Sequence, residues 1–306
     1  MAALPQPPIG RAWGTRRGAL VLGGEVYGLK NLSALQALAL RHHYPQFMLR
    51  PTSPQRPALE ISLCAWLHPP TNPIAVTARG QYAPILTHSP SRITITGVNF
   101  QAQIDRNKAA RATLSLRQGT PAAHLNAIDN VLRVVAAYRA LSVQGLLLHS
   151  AGLVLKDRRA YLFIGHSGVG KTTLSRKART VGVSILSDDI NIVSPSGTES
   201  FHAYPVPFTG ALGQTATRQA PSGYPLAGLF FLEQGSATHV HALSKAAAVA
   251  RLVAASPFVN ADPYLSFALL QTAAAVARQV PTQTLVSRRE DDFTPIHALL
   301  RELTDV

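Results

Sequence analysis

The chain has 306 residues, of which 46% are apolar and only 14% charged, and it carries a formal net charge of +14. That length holds one large domain or two modest ones, each able to bury a core of its own. The composition excludes a chain dominated by disorder, and no apolar run approaches the ~18 to 20 residues that a membrane span requires.

The positive balance attracts polyanions: nucleic acid, phosphorylated ligands or an acidic partner. The 29 Lys and Arg are scattered as pairs such as Arg16-Arg17, Arg158-Arg159 and Arg288-Arg289, with no dense basic helix or aromatic-interleaved stripe, so nucleic acid is not the expected partner. The single Cys64 lies in the apolar run "EISLCAWL" and is expected as a buried core thiol. Cysteine usage of this kind fits a cytoplasmic protein.

In chain order, residues 1 to 17 lack the long apolar core of a signal peptide and are expected as a flexible arm. Residues 18 to 120 read as a β-rich domain, with "ALVLGGEVYGL" as two strands around a Gly-Gly turn, "LEISLCAWL" alternating, and a run of strands from residue 82 to 116. The turns in that run are Ser-Pro, Gly-Val-Asn and Arg-Asn-Lys. Its one helix is expected over residues 33 to 43, with Leu35, Leu38 and Leu40 as the apolar set.

Gly119-Thr120-Pro121 breaks this pattern, and a second domain is expected over residues 121 to 306. Leu125, Ile128, Leu132 and Val135 recur at spacings of three and four, which predicts an amphipathic helix over residues 124 to 141, a natural hinge between the halves. Short strands follow at 146 to 148, 152 to 155 and 160 to 164, with "KDRR" as a hairpin tip. After a glycine loop a helix is predicted from about 170 to 180, then strands "VSILS" and "INIV" around Asp188-Asp189. "FHAYPVPFTG" is expected as a loop because of Pro205 and Pro207, and "LAGLFFLEQ" as a buried strand. The tail is expected to be helical: 244 to 255, 263 to 280 with Asp262 as cap, and 295 to 303 capped by Thr294.

Gly165-His166-Ser167-Gly168-Val169-Gly170-Lys171-Thr172 satisfies the pattern G-x-x-x-x-G-K-[ST], between a strand and a helix, and Thr173 follows. In that arrangement backbone N–H groups surround phosphate oxygens, Lys171 bridges the terminal phosphates, and the Thr172 hydroxyl ligates Mg²⁺. ATP and Mg²⁺ are therefore the expected cofactors. The site also needs a carboxylate at a strand end. Asp188-Asp189, seventeen residues after Lys171, and Glu233, after "LFFL", compete for that role. An activating Glu of a motor-type ATPase usually follows an Asp, and Leu232 stands there instead. The Asp pair supplies both a metal ligand and a proton acceptor, which favours it. His149 ends an apolar strand, where an imidazole can donate to a phosphate or bond Asp188. His166 lies within the loop, and His239 and His241 form a pair with no third ligand in view, read as structural. Arg218, in the loop after Pro207, is a candidate clamp on the transferring phosphoryl.

Together, "LLLHSAG", "AYLFIGHSGVGKTTL", "ILSDDINIV" and "PVPFTG" resemble the catalytic core of the HPr kinase/phosphorylase family, which is itself similar to the nucleotide site of phosphoenolpyruvate carboxykinases. The resemblance implies an α/β (α+β) catalytic domain with C-terminal helices, preceded by the smaller β-rich domain. It also implies Asp188 as catalytic base, Asp189 with Thr172 as Mg²⁺ ligands, and His149 beside the transferred phosphate. The expected activity is a kinase that phosphorylates a hydroxyl, foremost a Ser of a peptide or protein. Free serine or a similar small molecule is the alternative acceptor, and a nucleotide-binding module without transfer is the alternative of another class. A homo-oligomer is compatible with the sequence.

Overall fold

Alternation of apolar and polar residues builds the front half in the computed structural model, which describes residues 11–49, 56–66, 84–106, 111–198, 200–208, 210–213 and 223–302. The front elements are β1 (Arg16–Leu22), β2 (Glu25–Leu32), α1 (Ala34–His43), β3 (Leu59–Ala65), β4 (Ile85–His88), β5 (Arg92–Thr96), β6 (Phe100–Asp105), β7 (Arg111–Leu116) and α2 (Pro121–Ser142). The strands form one seven-stranded sheet in the order β1-β2-β3-β7-β6-β5-β4. Ile93 and Ile95 of β5 and Phe100, Ala102 and Ile104 of β6 are buried while their neighbours are not, the period-2 pattern of a sheet with one covered face.

Several details here differ from expectation. Ala12 bridges to Cys64 and the Gly14 N–H donates to the Asn31 carbonyl, so the described part of the expected arm is tied to the sheet. Residues 1 to 10 and the expected turn at Asn107-Lys108 lie outside the described residues. Helix α1 begins where expected, with Ser33 and Gln36 in a reciprocal capping box. Its buried pair, however, is Gln36 and Leu40, while Leu35 and Leu38 are 65% and 53% exposed. Gln36 tolerates burial because its amide bonds His124 Nδ1 at 2.9 Å. Cys64 is buried as expected, 3.2 Å from Ser115 Oγ.

The chain divides into two compact units, one of residues 1–21 and 25–135 and the other of 22–24 and 136–306, with the boundary inside α2. The helix is also apolar on more than one face: Val131, Leu132, Val134, Val135, Ala136 and Ala137 are all buried.

The second unit contains β8 (Leu146–Val154), β9 (Ala160–Ile164), α3 (Lys171–Thr180), β10 (Ser184–Ser187), β11 (Ile190–Pro195), β12 (Phe201–Tyr204), β13 (Tyr224–Gln234), β14 (His239–Ala242), α4 (Lys245–Ala254), α5 (Ser266–Gln279), β15 (Thr282–Ser287) and α6 (Thr294–Glu302). Strands β8, β11, β12, β13 and β9 pair in a closed ring, a five-stranded barrel in which only the β9–β13 contact is parallel. Strand β10 pairs with the far end of β8, β15 runs parallel to β13, and β14 flanks β15. Phe163 of β9 stacks on Phe230 of β13 at 5.4 Å, and Leu174 and Ala178 of α3 with Ile296 and Leu300 of α6 complete that core. Burying each large side chain there contributes roughly 1.5 to 3 kcal/mol.

Four expectations fail in this unit. The runs at 146 to 148 and 152 to 155 are one strand, because His149 pairs with Ile190 and Ser150 with Ile164. "FHAY" is strand β12, with its last partner at Tyr204, so Pro205 and Pro207 lie beyond the ladder that they would interrupt. Helix α5 starts at Ser266 rather than 263, since Asp262 is committed elsewhere: its Oδ1 accepts from the Tyr264 N–H and its Oδ2 from the Tyr138 hydroxyl. Strand β15, in a tail expected to be helical, was not foreseen.

Candidate functional site

Strand β9 runs into Gly165 and the loop turns at Gly168 and Gly170, whose φ values of 86° and 118° are open to glycine and strained for other residues. At Gly165 the constraint is space instead, because an added Cβ would lie 2.6 Å from Val169 Cγ1. Gly170 caps α3 without a side-chain bond, which leaves the first N–H groups of the helix to an anion. Gln234 at the end of β13 steadies the loop by donating to the Val169 carbonyl at 3.2 Å.

Lys171 is buried, and its Nζ donates to the Gly165 carbonyl at 2.6 Å and the His166 carbonyl at 3.1 Å. Burial holds its ammonium below the usual lysine range, and the charge of Asp189 partly opposes that shift. The Thr172 hydroxyl donates to Asp188 Oδ2 at 3.3 Å, and the Leu212 N–H donates to the same oxygen at 3.2 Å. Asp188 is only 4% exposed, and its Oδ1 is buried without a hydrogen-bond partner among the described residues. Gly210 presses against it, since a Cβ there would lie 2.1 Å from Oδ1. Ser187 shapes the turn: its Oγ accepts from the N–H groups of Asp189 and Ile190. The Asp189 carbonyl accepts from the Ser150 N–H, which ties the carboxylate turn to β8.

Two cavities flank the loop. One, of about 910 Å³, is lined by Gly165, His166, His149, Phe231, Arg251 and Phe258, among others. The other, of about 190 Å³, lies at Gly170, Thr173, Lys177 and Arg289. His149 sits within β8 rather than at its end, and its backbone N–H donates to the Ala255 carbonyl after α4. His166 is exposed, with Nδ1 2.8 Å from the Ser167 carbonyl. Glu233 is ion-paired with Arg251 at 2.9 Å, and that guanidinium lies 5.4 Å over the Phe231 ring. His239 and His241 are exposed on β14 with rings 6.2 Å apart, and among the described residues no group of three His, Cys, Asp or Glu is placed to hold a metal.

The structure therefore brings together Gly165 to Thr173, Lys171, Thr172, Asp188, Asp189 and His149. The carboxylate that the Thr172 hydroxyl touches is that of Asp188, whereas Asp189 was expected to share a metal with it. Arg218 and Thr209 lie outside the described residues. Sequence reasoning missed Gly210, Leu212, Gln234, Arg251 and Phe258, which lie far along the chain from the loop. Only the Asp-Asp turn and the "LFFLEQ" strand end marked where such partners would gather.

A five-stranded barrel, a further sheet extension and packed helices, with a glycine loop between a barrel strand and a helix, make this a mixed α/β protein. The chain matches the family described as SynChlorMet cassette protein ScmC over residues 117–288, more than half its length, and it belongs to that family. No curated protein matches it.

Proposed function

We propose that this protein is an ATP- and Mg²⁺-dependent kinase that transfers the γ-phosphoryl group to a hydroxyl, foremost a serine of a peptide or protein. The observation that carries this reading is Asp188: one carboxylate oxygen is held by Thr172 and Leu212, and the other is buried without a partner among the described residues. An orphaned carboxylate oxygen in that position suits a proton acceptor.

The residues also fit a magnesium ion, since a threonine hydroxyl and two adjacent carboxylates form the hard oxygen set that it prefers. The Thr172 hydroxyl and the acidic turn would hold it, and the ion would neutralise charge on the phosphates. In the proposed step the acceptor oxygen bonds to the γ-phosphorus as the bond to the β–γ bridging oxygen breaks, and ADP leaves. The hydroxyl proton passes to Asp188 Oδ1. Lys171 and the loop N–H groups stabilise the developing charge.

Labelled γ-phosphate tests this reading. Asp188→Asn keeps ATP binding within a fewfold and loses transfer by about 10²-fold or more. Turnover near the wild-type rate in that variant removes Asp188 from the base role, and tight ATP binding by the wild-type protein with no labelled acceptor supports a binding module instead. The large cavity favours a second reading, in which the acceptor is a small molecule such as free serine, since ligand pockets span roughly 300 to 1,000 Å³.

A further inference from the structure

We propose that the cavity of about 910 Å³ beside Gly165 and His166 takes the phosphate acceptor, and that this acceptor is a hydroxyl compound carrying a carboxylate, which Arg251 binds. The proposal rests on the kinase reading and names the substrate class of that site.

The two cavities meet opposite ends of the loop. Lys171, which reaches for terminal phosphates, points its Nζ to the carbonyls of Gly165 and His166, and these residues line the large cavity and not the small one. The terminal phosphoryl therefore lies toward the large cavity. The nucleoside then leaves from the other end, toward Thr173 and the small cavity. His149 on the wall of the large cavity pairs in register with Ile190, the residue that follows Asp189.

The wall has its own recognition chemistry. Arg251 is held on one side by Glu233 and rests over Phe231, and its hydrogen bond to Glu233 uses one N–H group of the five that a guanidinium offers. A guanidinium fixed in place with donors to spare binds a carboxylate in a fork. The Glu233 and Arg251 side chains are 44% and 41% exposed, and an ion pair so exposed adds little stability. Phe258, also on this wall, has φ of 70° with the Val259 N–H donating to the Pro257 carbonyl across it, the strained form of a γ-turn. An aromatic residue kept in that conformation at a cavity wall points to a ligand contact.

Calorimetry on the full chain with N-acetyl-L-serine, N-acetyl-L-serinamide and ATP, each titrated separately, tests the proposal. Wild type should prefer the carboxylate over the amide by about tenfold, as a charge-assisted pair gives. Arg251→Gln should abolish that preference and leave ATP affinity within about twofold, whereas Glu233→Gln, which releases Arg251 donors, should keep or strengthen it. A pair that served only stability would lose function alike in both variants. Equal affinity for the two probes in wild type, no binding of either, or an ATP affinity that falls with Arg251→Gln would overturn the assignment. A carboxylate preference that depends on Arg251, found in a protein that labels no acceptor, would uphold the cavity and sink the kinase reading.

Discussion

Lys171 is a buried cation whose neighbours are carbonyl oxygens. Its lowered proton affinity has a definite sign: the unfolded chain holds that proton more tightly than the folded one, so stability rises with pH between the lowered value and the ordinary 10.5. In the proposed function nucleotide affinity runs the other way, because a neutral amine does not attract phosphate. ATP affinity measured by calorimetry should begin to fall at a more acidic pH than an ordinary lysine would give, and the fall should vanish in Lys171→Arg, whose guanidinium stays charged. Affinity that is flat in wild type up to 10.5 contradicts the burial account. Gly210 carries the second prediction at this scale. Its substitution by Ala places a methyl 2.1 Å from Asp188 Oδ1 and 3.0 Å from Asp189 Cβ, so the pair must shift. The overpacking should cost about 1 to 3 kcal/mol in a denaturant melt, and phosphoryl transfer should fall more steeply than ATP binding.

Between β10 and β11 the two carboxylates stand on a turn whose shape depends on one hydroxyl. Ser187 Oγ accepts two backbone N–H groups there, a local side-chain turn of the kind serine favours. Ser187→Ala should destabilise the protein by about 1 kcal/mol and slow transfer while leaving the loop's nucleotide affinity near wild type. A fall in nucleotide affinity as large as the fall in rate would show that the turn and the loop are not separable. Elements of this kind were partly legible in the sequence: "VSILS", "DD" and "INIV" mark strand, turn and strand through local chemistry alone. Strand β12 was not, because Pro205 and Pro207 argued for a loop while the pairing of "FHAY" with β11 and β13 depends on residues far away in the chain. The start of α5 was misread for a similar reason: Asp262 looks like a cap, yet Tyr138, 124 residues earlier, claims its second oxygen.

Across the whole molecule, two compact units meet their boundary within α2, and the described helices include none long and apolar enough to cross a membrane. The sequence by itself determined the glycine loop from Gly165 to Thr172, its strand and helix, the acidic turn and the β-rich front half, because each of these is written in local spacing, in glycine's positive φ and in period-2 alternation. Only the tertiary structure decided that five strands close into a barrel. It also decided that Asp188 rather than Asp189 meets the Thr172 hydroxyl, that Gly210 and Leu212 cover that carboxylate, and that Glu233 is bound to Arg251 on a cavity wall. Apart from the two hairpins of the barrel, these are contacts between residues 16 or more positions apart, and no local preference of the backbone sets them; they follow from which strands pair and which side chains the closed barrel brings within reach.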